Sequence, residues 1–384
     1  MSAPTDNGTT AIKNVRVFNG EKLTEPTTVY IESGIIVDHV EGAVEVDGQG
    51  GVLLPGLIDA HIHLHHTGHL RKLAKWGVTT GLDMATWPAD KMNGLRNREG
   101  LTDIRSAGLP ATINGSLHSH MLPLPPAAFL SGPGDAPNFV KERIEEGSDF
   151  MKIISDVPGP SQATMTAVVE EAHKHGKMVI AHASAYVPFQ MAQESHADVI
   201  THSPRNKAVD APMIARMLED HCISVPTLTM MKAVSQPPDL GAVFGLLSKP
   251  TLLWAIFQAK RRTGGAEKYE NSRDSVAAMH QAGIPILAGT DCHEEPNSPF
   301  SVPHGESLHL ELELLVEAGL SNLDALRAAT SLPAKYFRLT DRGAIEVGKR
   351  ANLVLLGSDP LQRISATRDI RQVWCGGRKF ENEC

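Results

Sequence analysis

The most informative residues of this sequence are six side chains that can bind metal ions, each at the end of a short apolar run. The runs are LLPGLIDAHIHL, DFMKIIS, KMVIAHAS, ADVITHSP and IPILAGTDC. The side chains that close them are His61, His63, Lys152, His182, His202 and Asp291. Parallel strands that end in polar residues place those side chains at the carboxyl edge of an open sheet or at the carboxyl end of a barrel, where active sites form. The pattern therefore predicts a site for two divalent ions, a pair that would support hydrolysis.

Two of these residues, His61 and His63, are separated by a single position. Side chains at positions i and i+2 of a strand point to the same side, so both imidazoles can bind one ion. The sequence has 18 histidines, so any one of them is more often structural or solvated than a ligand. His65, His66 and His69 follow the same strand, and we expect them at the entrance to the site rather than among its ligands.

Lys152 stands inside an apolar run, between Met151 and Ile153. A lone ammonium group is costly to bury in such surroundings. One interpretation is that the side chain reaches the surface or pairs with Asp149 or Asp156. The other is that burial and nearby cations keep the amine neutral, so that it adds CO₂ and becomes a carbamate. A carbamate is anionic and has two oxygens, so it would bridge two metal ions.

His182 and His202 end two successive strand-like runs, and imidazoles on adjacent strands suit a second ion such as Zn²⁺. The alternative is a pair of structural histidines at strand ends. Asp291 follows IPILAGT. A carboxylate there would bind the first ion and take a proton from water, unless it is the N-cap of a following helix. We expect its neighbour Cys292 to pack in the core.

Three further residues are candidates for substrate contact. His293 lies two positions after Asp291, and Arg205 follows the strand that ends at His202. His120 lies with His118 in SLHSHM, a segment expected to reach the site from the third strand.

The elements that position these residues form a regular alternation of strand-like and helix-like segments from 55 to 342. The helical segments include ATMTAVVEEAHKHG and SVAAMHQAG. The strand candidates are the run ending at His61, VTTGLDMA, ATINGSLHS, DFMKIIS, KMVIAHAS, DVITHSP, ISVPTLTM and IPILAGTDC. Eight alternating units predict an α/β protein with a (β/α)8 TIM-like barrel, whose active site lies at the carboxyl ends of the strands.

The two chain ends have a different texture, with short β-branched runs broken by glycine and aspartate. We expect residues 11–54 and 343–384 to pair into one small β-sandwich domain, because separate pieces would leave sheet edges exposed. Residues 1–10 are expected to form a flexible tail.

Two stretches, at about 120–140 and 235–270, interrupt the alternation. Each is expected either to shape a substrate pocket as a lid or to cover barrel helices at the surface. Tyr186, Trp254 and Phe257 would line an apolar pocket or, as the preferred interpretation, pack in the core.

Composition and charge limit the partners and the cellular compartment that the sequence suggests. The 384 residues carry a formal charge of −8, and no block of Lys or Arg stands out, so nucleic acid and anionic membranes are not the expected partners. No apolar stretch is long enough to span a bilayer, and the first residues lack a signal region. The four cysteines show no CxxC spacing and are expected to be free thiols, which favours a cytoplasmic protein. They are Cys222, Cys292, Cys375 and Cys384.

Together these motifs resemble the metal-dependent amidohydrolase superfamily. LLPGLIDAHIHL resembles its first barrel strand, AGTDC its eighth-strand aspartate, and ALRAATSLPAKYFRLTDRGAIEVGKRANLVLLGSDP its return to the small β domain. AHASAYVPFQMAQESHADVITHSP and PTLTMM resemble the prolidase and imidazolonepropionase-like branch, which includes Xaa-Pro dipeptidases and ochratoxin amidase. Lys152 resembles the carboxylated lysine of binuclear members, on the peptidase and amidase side of that branch.

The resemblance implies a role for each ligand. His61, His63 and Asp291 would bind the first of two divalent ions, most often Zn²⁺, and His182 and His202 the second. Carboxylated Lys152 and a hydroxide would bridge both ions. The implied function is hydrolysis of an amide C–N bond in a small molecule such as an N-acyl amino acid or dipeptide, with Asp291 transferring the proton, in a homo-oligomer. The alternatives are a cyclic amide, imidazolone or lactone hydrolase, or a non-catalytic binding protein.

Overall fold

The computed structural model of the protein describes residues 8–236, 250–294 and 301–381. Both ends of this chain contribute to one eight-stranded sheet, in the order β15-β14-β13-β5-β1-β2-β3, with β4 paired to β1. Its strands are β1 (Thr9–Val17), β2 (Thr27–Glu32), β3 (Ile35–Val37), β4 (Val44–Asp47), β5 (Val52–Pro55), β13 (Leu353–Leu356), β14 (Ile370–Cys375) and β15 (Arg378–Lys379).

The antiparallel pairing of β5 with β13 joins the two chain ends, from Val52 opposite Leu356 to Pro55 opposite Leu353. Apolar residues of this sheet form a buried cluster that includes Trp374. Strand β1 begins at Thr9, so the predicted tail of residues 1–10 is too long at its end. Residues 1–7 lie outside the described part of the chain.

Parallel strands and helices alternate through the middle of the chain, in two sheets with the orders β6-β7-β8 and β12-β11-β10-β9. The strands are β6 (Leu57–Ile62), β7 (Val78–Asp83), β8 (Asp103–Ser106), β9 (Met151–Ile154), β10 (Val179–His182), β11 (Val199–Thr201) and β12 (Ile223–Val225). The helices are α1 (Thr67–Lys75), α2 (Ala89–Gly94), α3 (Leu117–Met121), α4 (Ala136–Glu145), α5 (Gln162–Lys174), α6 (Tyr186–Glu194), α7 (Ala211–Glu219), α8 (Leu228–Val234), α9 (Pro250–Thr263), α10 (Tyr269–Gln281), α11 (Glu306–Glu317), α12 (Asn322–Ala328) and α13 (Ser331–Tyr336).

Backbone hydrogen bonds connect the two parallel sheets at both edges. The N–H of Asp149 donates to the carbonyl of Ser106 (2.8 Å), which links the start of β9 to β8. At the other edge, residues 285–291 lie between β12 and β6: Leu287 N–H donates to Ser224 (2.9 Å), and Ala60 N–H donates to Ala288 (2.9 Å). These strands contribute side chains to one buried, mainly aliphatic cluster, whose members include Ile58, Leu82, Ile180, Val225 and Leu287.

The predicted third strand, ATINGSLHS, is wrong. Strand β8 lies earlier in the chain, and within the predicted segment only Ala111 and Thr112 form isolated bridges. Helix α3 follows because Gly115 turns the chain with φ 84° and Ser116 caps the helix, its hydroxyl accepting from the N–H of Ser119 (3.1 Å). Serine is a favoured N-cap residue, and this local signal overrides the β pattern.

The predicted helices ATMTAVVEEAHKHG and SVAAMHQAG are confirmed as α5 and as the second half of α10. Ser161 caps α5 by accepting from the N–H of Thr164 (3.2 Å), and Gly176 follows its end with φ 67°. Within the described ranges, no helix is both long enough and apolar enough to cross a bilayer.

The two stretches that interrupt the alternation contain short helical pieces. Residues 120–140 hold 3-10 turns at Pro126–Ala128 and Pro133–Asp135. Residues 235–270 hold α9, which packs against α3, whereas 237–249 lie outside the described residues. Trp254 and Phe257 on α9 are 61% and 60% exposed, so the interpretation that they pack in the core is wrong.

Candidate metal centre

The first group of predicted ligands, His61, His63 and Asp291, is brought together in the structure. The Nε2 atoms of the two histidines are 3.3 Å apart. Oδ1 of Asp291 lies 3.3 Å from Nε2 of His61 and 2.9 Å from Nε2 of His63. The residues after Asp291 form isolated bridges at Cys292 and His293, so the alternative of a helix N-cap is wrong. Cys292 is fully buried, as expected for a packing role.

Two buried carboxylates that the sequence analysis missed fix the segments carrying these ligands. Asp59 accepts from the N–H of His61 (3.1 Å) and from both the N–H (3.0 Å) and the hydroxyl (2.7 Å) of Thr290. Burial raises the pKa of Asp59 to about 7. Glu311, on α11, accepts from the first two N–H groups of α8 at 2.9 and 2.7 Å. The sequence features that could have identified these two carboxyl groups are an aspartate two positions before His61 and a glutamate within an apolar helix.

The second pair of predicted ligands, His182 and His202, lies beside the first group. The rings of His182 and His202 are 4.3 Å apart between centroids, and those of His61 and His202 are 5.0 Å apart. Nδ1 of His202 contacts the hydroxyl of Thr227 at 2.7 Å, which leaves its Nε2 for another partner. Nε2 of His182 is buried and has no hydrogen-bond partner among the described residues. Buried polar atoms are nearly always satisfied, so this nitrogen points to a ligand.

Lys152 is buried, and its Nζ donates to the hydroxyl of Thr201 (2.9 Å). Asp149 pairs with Arg96 at 2.7 Å, and Asp156 pairs with His118 at 2.6 Å. The alternatives in which Lys152 reaches the surface or pairs with these aspartates are therefore wrong. Burial lowers the pKa of Lys152 to about 7, against a weaker opposing effect of Asp291, so a neutral amine is available near pH 7.

The protonation states of the cluster suit metal binding. Burial, assisted by the charge of Lys152, lowers the pKa of His61 to about 3. Burial also holds the pKa values of His182 and His202 well below the ordinary value. Burial alone would raise the pKa of Asp291, but His61 and the other neighbouring histidines outweigh it and hold that pKa well below its usual range. Neutral imidazoles and an ionised carboxylate are the forms that ligate metals.

A fifth histidine, His118, joins the cluster beside His182. It lies on α3, its Nδ1 contacts Oδ2 of Asp156 (2.6 Å), and its ring is 4.4 Å from that of His182. Burial lowers the pKa of His118, but Asp156 outweighs burial and the net effect raises it. His120, the predicted substrate contact, is exposed on the same helix. The segment reaches the cluster as a helix rather than as a strand, and of its two histidines His118 joins the cluster whereas His120 is exposed.

The other predicted substrate contacts, Arg205 and His293, have partners within the protein. Arg205 is partly buried, and its guanidinium donates to the carbonyl of Val234 (3.3 Å) and lies 3.5 Å from Glu267. Its main role is therefore to hold the segment around 264–268. Nδ1 of His293 lies 3.0 Å from the carbonyl oxygen of Asp291.

Comparisons with known proteins agree with this geometry. The model of a family described as "Amidohydrolase family" matches residues 52–379. An uncharacterised protein of Mycobacterium bovis is 26% identical over 371 residues, which span 91% of this chain and 90% of that relative.

Two solved structures share the fold. A Xaa-Pro dipeptidase with methionine bound in its active site is 20% identical, with a TM-score of 0.78 over 97% of this chain and 100% of that one. An ochratoxinase of A. niger is 18% identical, with a TM-score of 0.73 over 99% and 97% of the two chains. The resemblance predicted from the sequence motifs is confirmed.

Proposed function

Because the chain belongs to the amidohydrolase family, we propose that this hydrolase is a binuclear metal enzyme that cleaves an amide C–N bond of a small molecule, such as an N-acyl amino acid or dipeptide. One observation carries the proposal. Three ligand atoms of His61, His63 and Asp291 converge with separations of 2.9 to 3.3 Å. Four ligands at bond lengths of about 2.0–2.1 Å in a tetrahedron are roughly 3.3 Å apart.

We also infer the architecture that holds this site. The hydrogen bonds at both edges of the parallel sheets support closure of β6 to β12, with residues 285–291 as the eighth strand, into a (β/α)8 barrel over about 55–342. The pairing of β5 with β13 supports a small β domain from 11–54 and 343–384. In such a barrel the carboxyl ends of the strands form the active-site face, where all the proposed ligands lie.

The residues present fit two divalent ions. His61, His63 and Asp291 would hold the first. His182, whose Nε2 has no partner among the described residues, and His202, whose Nδ1 is occupied by Thr227, would hold the second. Lys152, as a carbamate, would contribute one oxygen to each ion. Nitrogen and carboxylate-type donors suit Zn²⁺.

The residues of the chain then have distinct tasks. When bound, such ions supply a water that is activated at neutral pH and polarise the substrate carbonyl. Asp291, ionised because of its histidine neighbours, accepts the proton of the attacking water and returns it to the leaving nitrogen, which needs it to depart. His118, held by Asp156 beside His182, is placed to contact the substrate. The burial of Lys152, His61 and His202 shields one side of the group from bulk water, whereas the side chains of His63 and Asp291 are 25% and 15% exposed.

The state of the cysteines supports a proposal about the compartment in which the enzyme works. Cys222, Cys292 and Cys375 are free and buried, which favours a reducing compartment such as the cytoplasm. Cys384 lies outside the described residues. The homo-oligomer expected from the resemblance stays a prediction.

The test combines elemental analysis with a panel of amide substrates, including N-acyl amino acids, dipeptides, cyclic amides and lactones. We expect two ions per chain and highest kcat/KM on linear amides. Lys152→Ala should lose most activity and about one ion, whereas Lys177→Ala, which removes a half-buried lysine bonded to the carbonyl of Ser148 (2.8 Å), should lose neither. Full activity and metal content in Lys152→Ala would refute the bridge, and activity confined to cyclic substrates would refute the linear amide.

A further inference from the structure

A second group of metal-competent side chains lies outside the proposed binuclear centre. His69, Glu294 and His304 each offer one ligand atom, and these atoms lie within 4.8 Å of one another. His69 on α1 and His304 are each 2% exposed, whereas the side chain of Glu294 is 24% exposed. The group is therefore a built, mostly buried site with one side open to solvent.

The contacts of His304 show that a cation is needed between it and Glu294. Nε2 of His304 lies 2.7 Å from the carbonyl oxygen of His63. A carbonyl oxygen only accepts, so Nε2 carries a proton and donates it. The other ring nitrogen, Nδ1, lies 2.7 Å from Oε2 of Glu294. A lone pair and a carboxylate oxygen repel at that distance unless a cation lies between them. A second proton fits the present 2.7 Å, whereas a metal ion with bonds of about 2.0–2.1 Å would widen the separation to roughly 3.3 Å.

The remaining partners leave this position open to an ion. Lys72, on the surface, lies 2.8 Å from Oε1 of Glu294, so it neutralises one carboxylate oxygen and leaves Oε2 facing the histidines. The ring of His69 stacks on that of His304, with centroids 3.9 Å apart and planes 22° apart. Binding one ion with His304 requires the His69 ring to rotate out of this stack, which breaks a long contact (3.3 Å) with the N–H of His65.

We propose that His69, Glu294 and His304 form a third metal site, for a borderline divalent ion such as Zn²⁺ or Co²⁺. Two imidazoles and one carboxylate are a common donor set for such ions, with the fourth position left to water. Water reaches this position on the exposed side of Glu294. The ion joins α1 to the segment that follows Asp291, and through His304 it is coupled to the carbonyl of His63. It therefore braces two segments that carry ligands of the proposed binuclear centre.

The test counts ions in the parent protein and in two variants. Metal-free protein is loaded with Zn²⁺ or Co²⁺, dialysed, and analysed by mass spectrometry of the native chain. We expect His69→Gln and Glu294→Gln each to hold one ion fewer than the parent. His66→Gln is the matched control, because His66 is exposed and its ring lies 4.0 Å from that of His69, yet it is outside the ligand set. It should keep the parent's count.

The same count in the Lys152→Ala background separates this site from the binuclear centre. Adding His69→Gln there should still remove one ion, whatever Lys152→Ala has removed. An anomalous diffraction peak beside Glu294 in the parent, absent from His69→Gln, would locate the ion. Equal counts in the parent, His69→Gln and Glu294→Gln would overturn the proposal and leave a proton as the cation between Glu294 and His304. Circular dichroism of each variant identifies any loss of ions that comes from unfolding.

Discussion

The pH dependence of stability in the metal-free protein is set in part by Lys152, and replacing it with methionine should remove that part. Burial lowers the pKa of Lys152 from 10.5 to about 7. At about 1.36 kcal/mol for each pKa unit, protonating this lysine in the folded chain costs roughly 4–5 kcal/mol. Below pH 7 both folded and unfolded chains bind the proton, and the cost is present in full.

The sign and size of the effect follow from proton linkage. Between pH 7 and 10.5 the unfolded chain binds the lysine proton and the folded chain does not, so the free energy of unfolding rises with pH. For Lys152 alone the rise from pH 7 to pH 9 is about 2 kcal/mol. Lys152→Met keeps a similar side-chain volume without the charge, so it should lack this rise and be the more stable protein at pH 6.

The assay is reversible urea unfolding of metal-free protein at pH 6, 7, 8 and 9, followed by tryptophan fluorescence. Groups common to both proteins cancel when the variant is subtracted from the parent at each pH. Lys177→Met, the matched control, should keep the parent's rise. A difference between parent and Lys152→Met that stays constant from pH 6 to pH 9 would show that Lys152 is not a desolvated, near-neutral amine, and the basis for its carboxylation would be lost.

Two further predictions concern the residues that orient the ligands. Thr227→Ala removes the hydroxyl that contacts Nδ1 of His202 (2.7 Å). Chelator competition should therefore show metal affinity weaker by about 10- to 100-fold, whereas Thr227→Ser should stay close to the parent. Equal affinity in the alanine variant would contradict this role. The asparagine of Asp59→Asn cannot accept all three hydrogen bonds that tie His61 to Thr290. Urea unfolding of the metal-free variant should therefore show a free energy of unfolding lower by about 1–3 kcal/mol. An unchanged unfolding midpoint would contradict this role of Asp59.

The residues at strand ends were the most predictable part of the site. His61, His63, His182 and Asp291 each follow an apolar run and Lys152 stands within one, and parallel strands carry such residues toward one end of the sheet whatever the exact strand boundaries. The structure brings the ligand atoms of His61, His63 and Asp291 within 3.3 Å of one another, and the argument for this convergence depends only on strand direction and on the order of the runs. It needs no knowledge of loop conformation or of contacts distant in sequence.

The partners of these residues were less predictable because long-range contacts select them. Asp156 is 38 positions from His118, its partner, and Glu311 is more than 80 positions from the turn that it caps. No periodicity relates such pairs. The prediction of a third strand at 111–119 was wrong for a local reason. The Gly115–Ser116 turn starts a helix where the apolar pattern favours a strand. The exposure of Trp254 likewise depends on how α9 packs, which its own sequence does not determine.

Strained backbone conformations at the candidate metal centre explain why buried carboxyl groups lie next to it. His202, Thr227 and Asp291 have φ values of 74°, 48° and 58°, in a left-handed region that costs a non-glycine residue about 1–2 kcal/mol. His202 directly follows β11, Thr227 directly precedes α8, and Asp291 closes the segment 285–291. Asp59 and Glu311 accept hydrogen bonds from the peptide groups beside Asp291 and Thr227, and so hold conformations that the chain would otherwise leave. The geometry of the ligands is therefore maintained in part by buried carboxyl groups that are not themselves proposed ligands.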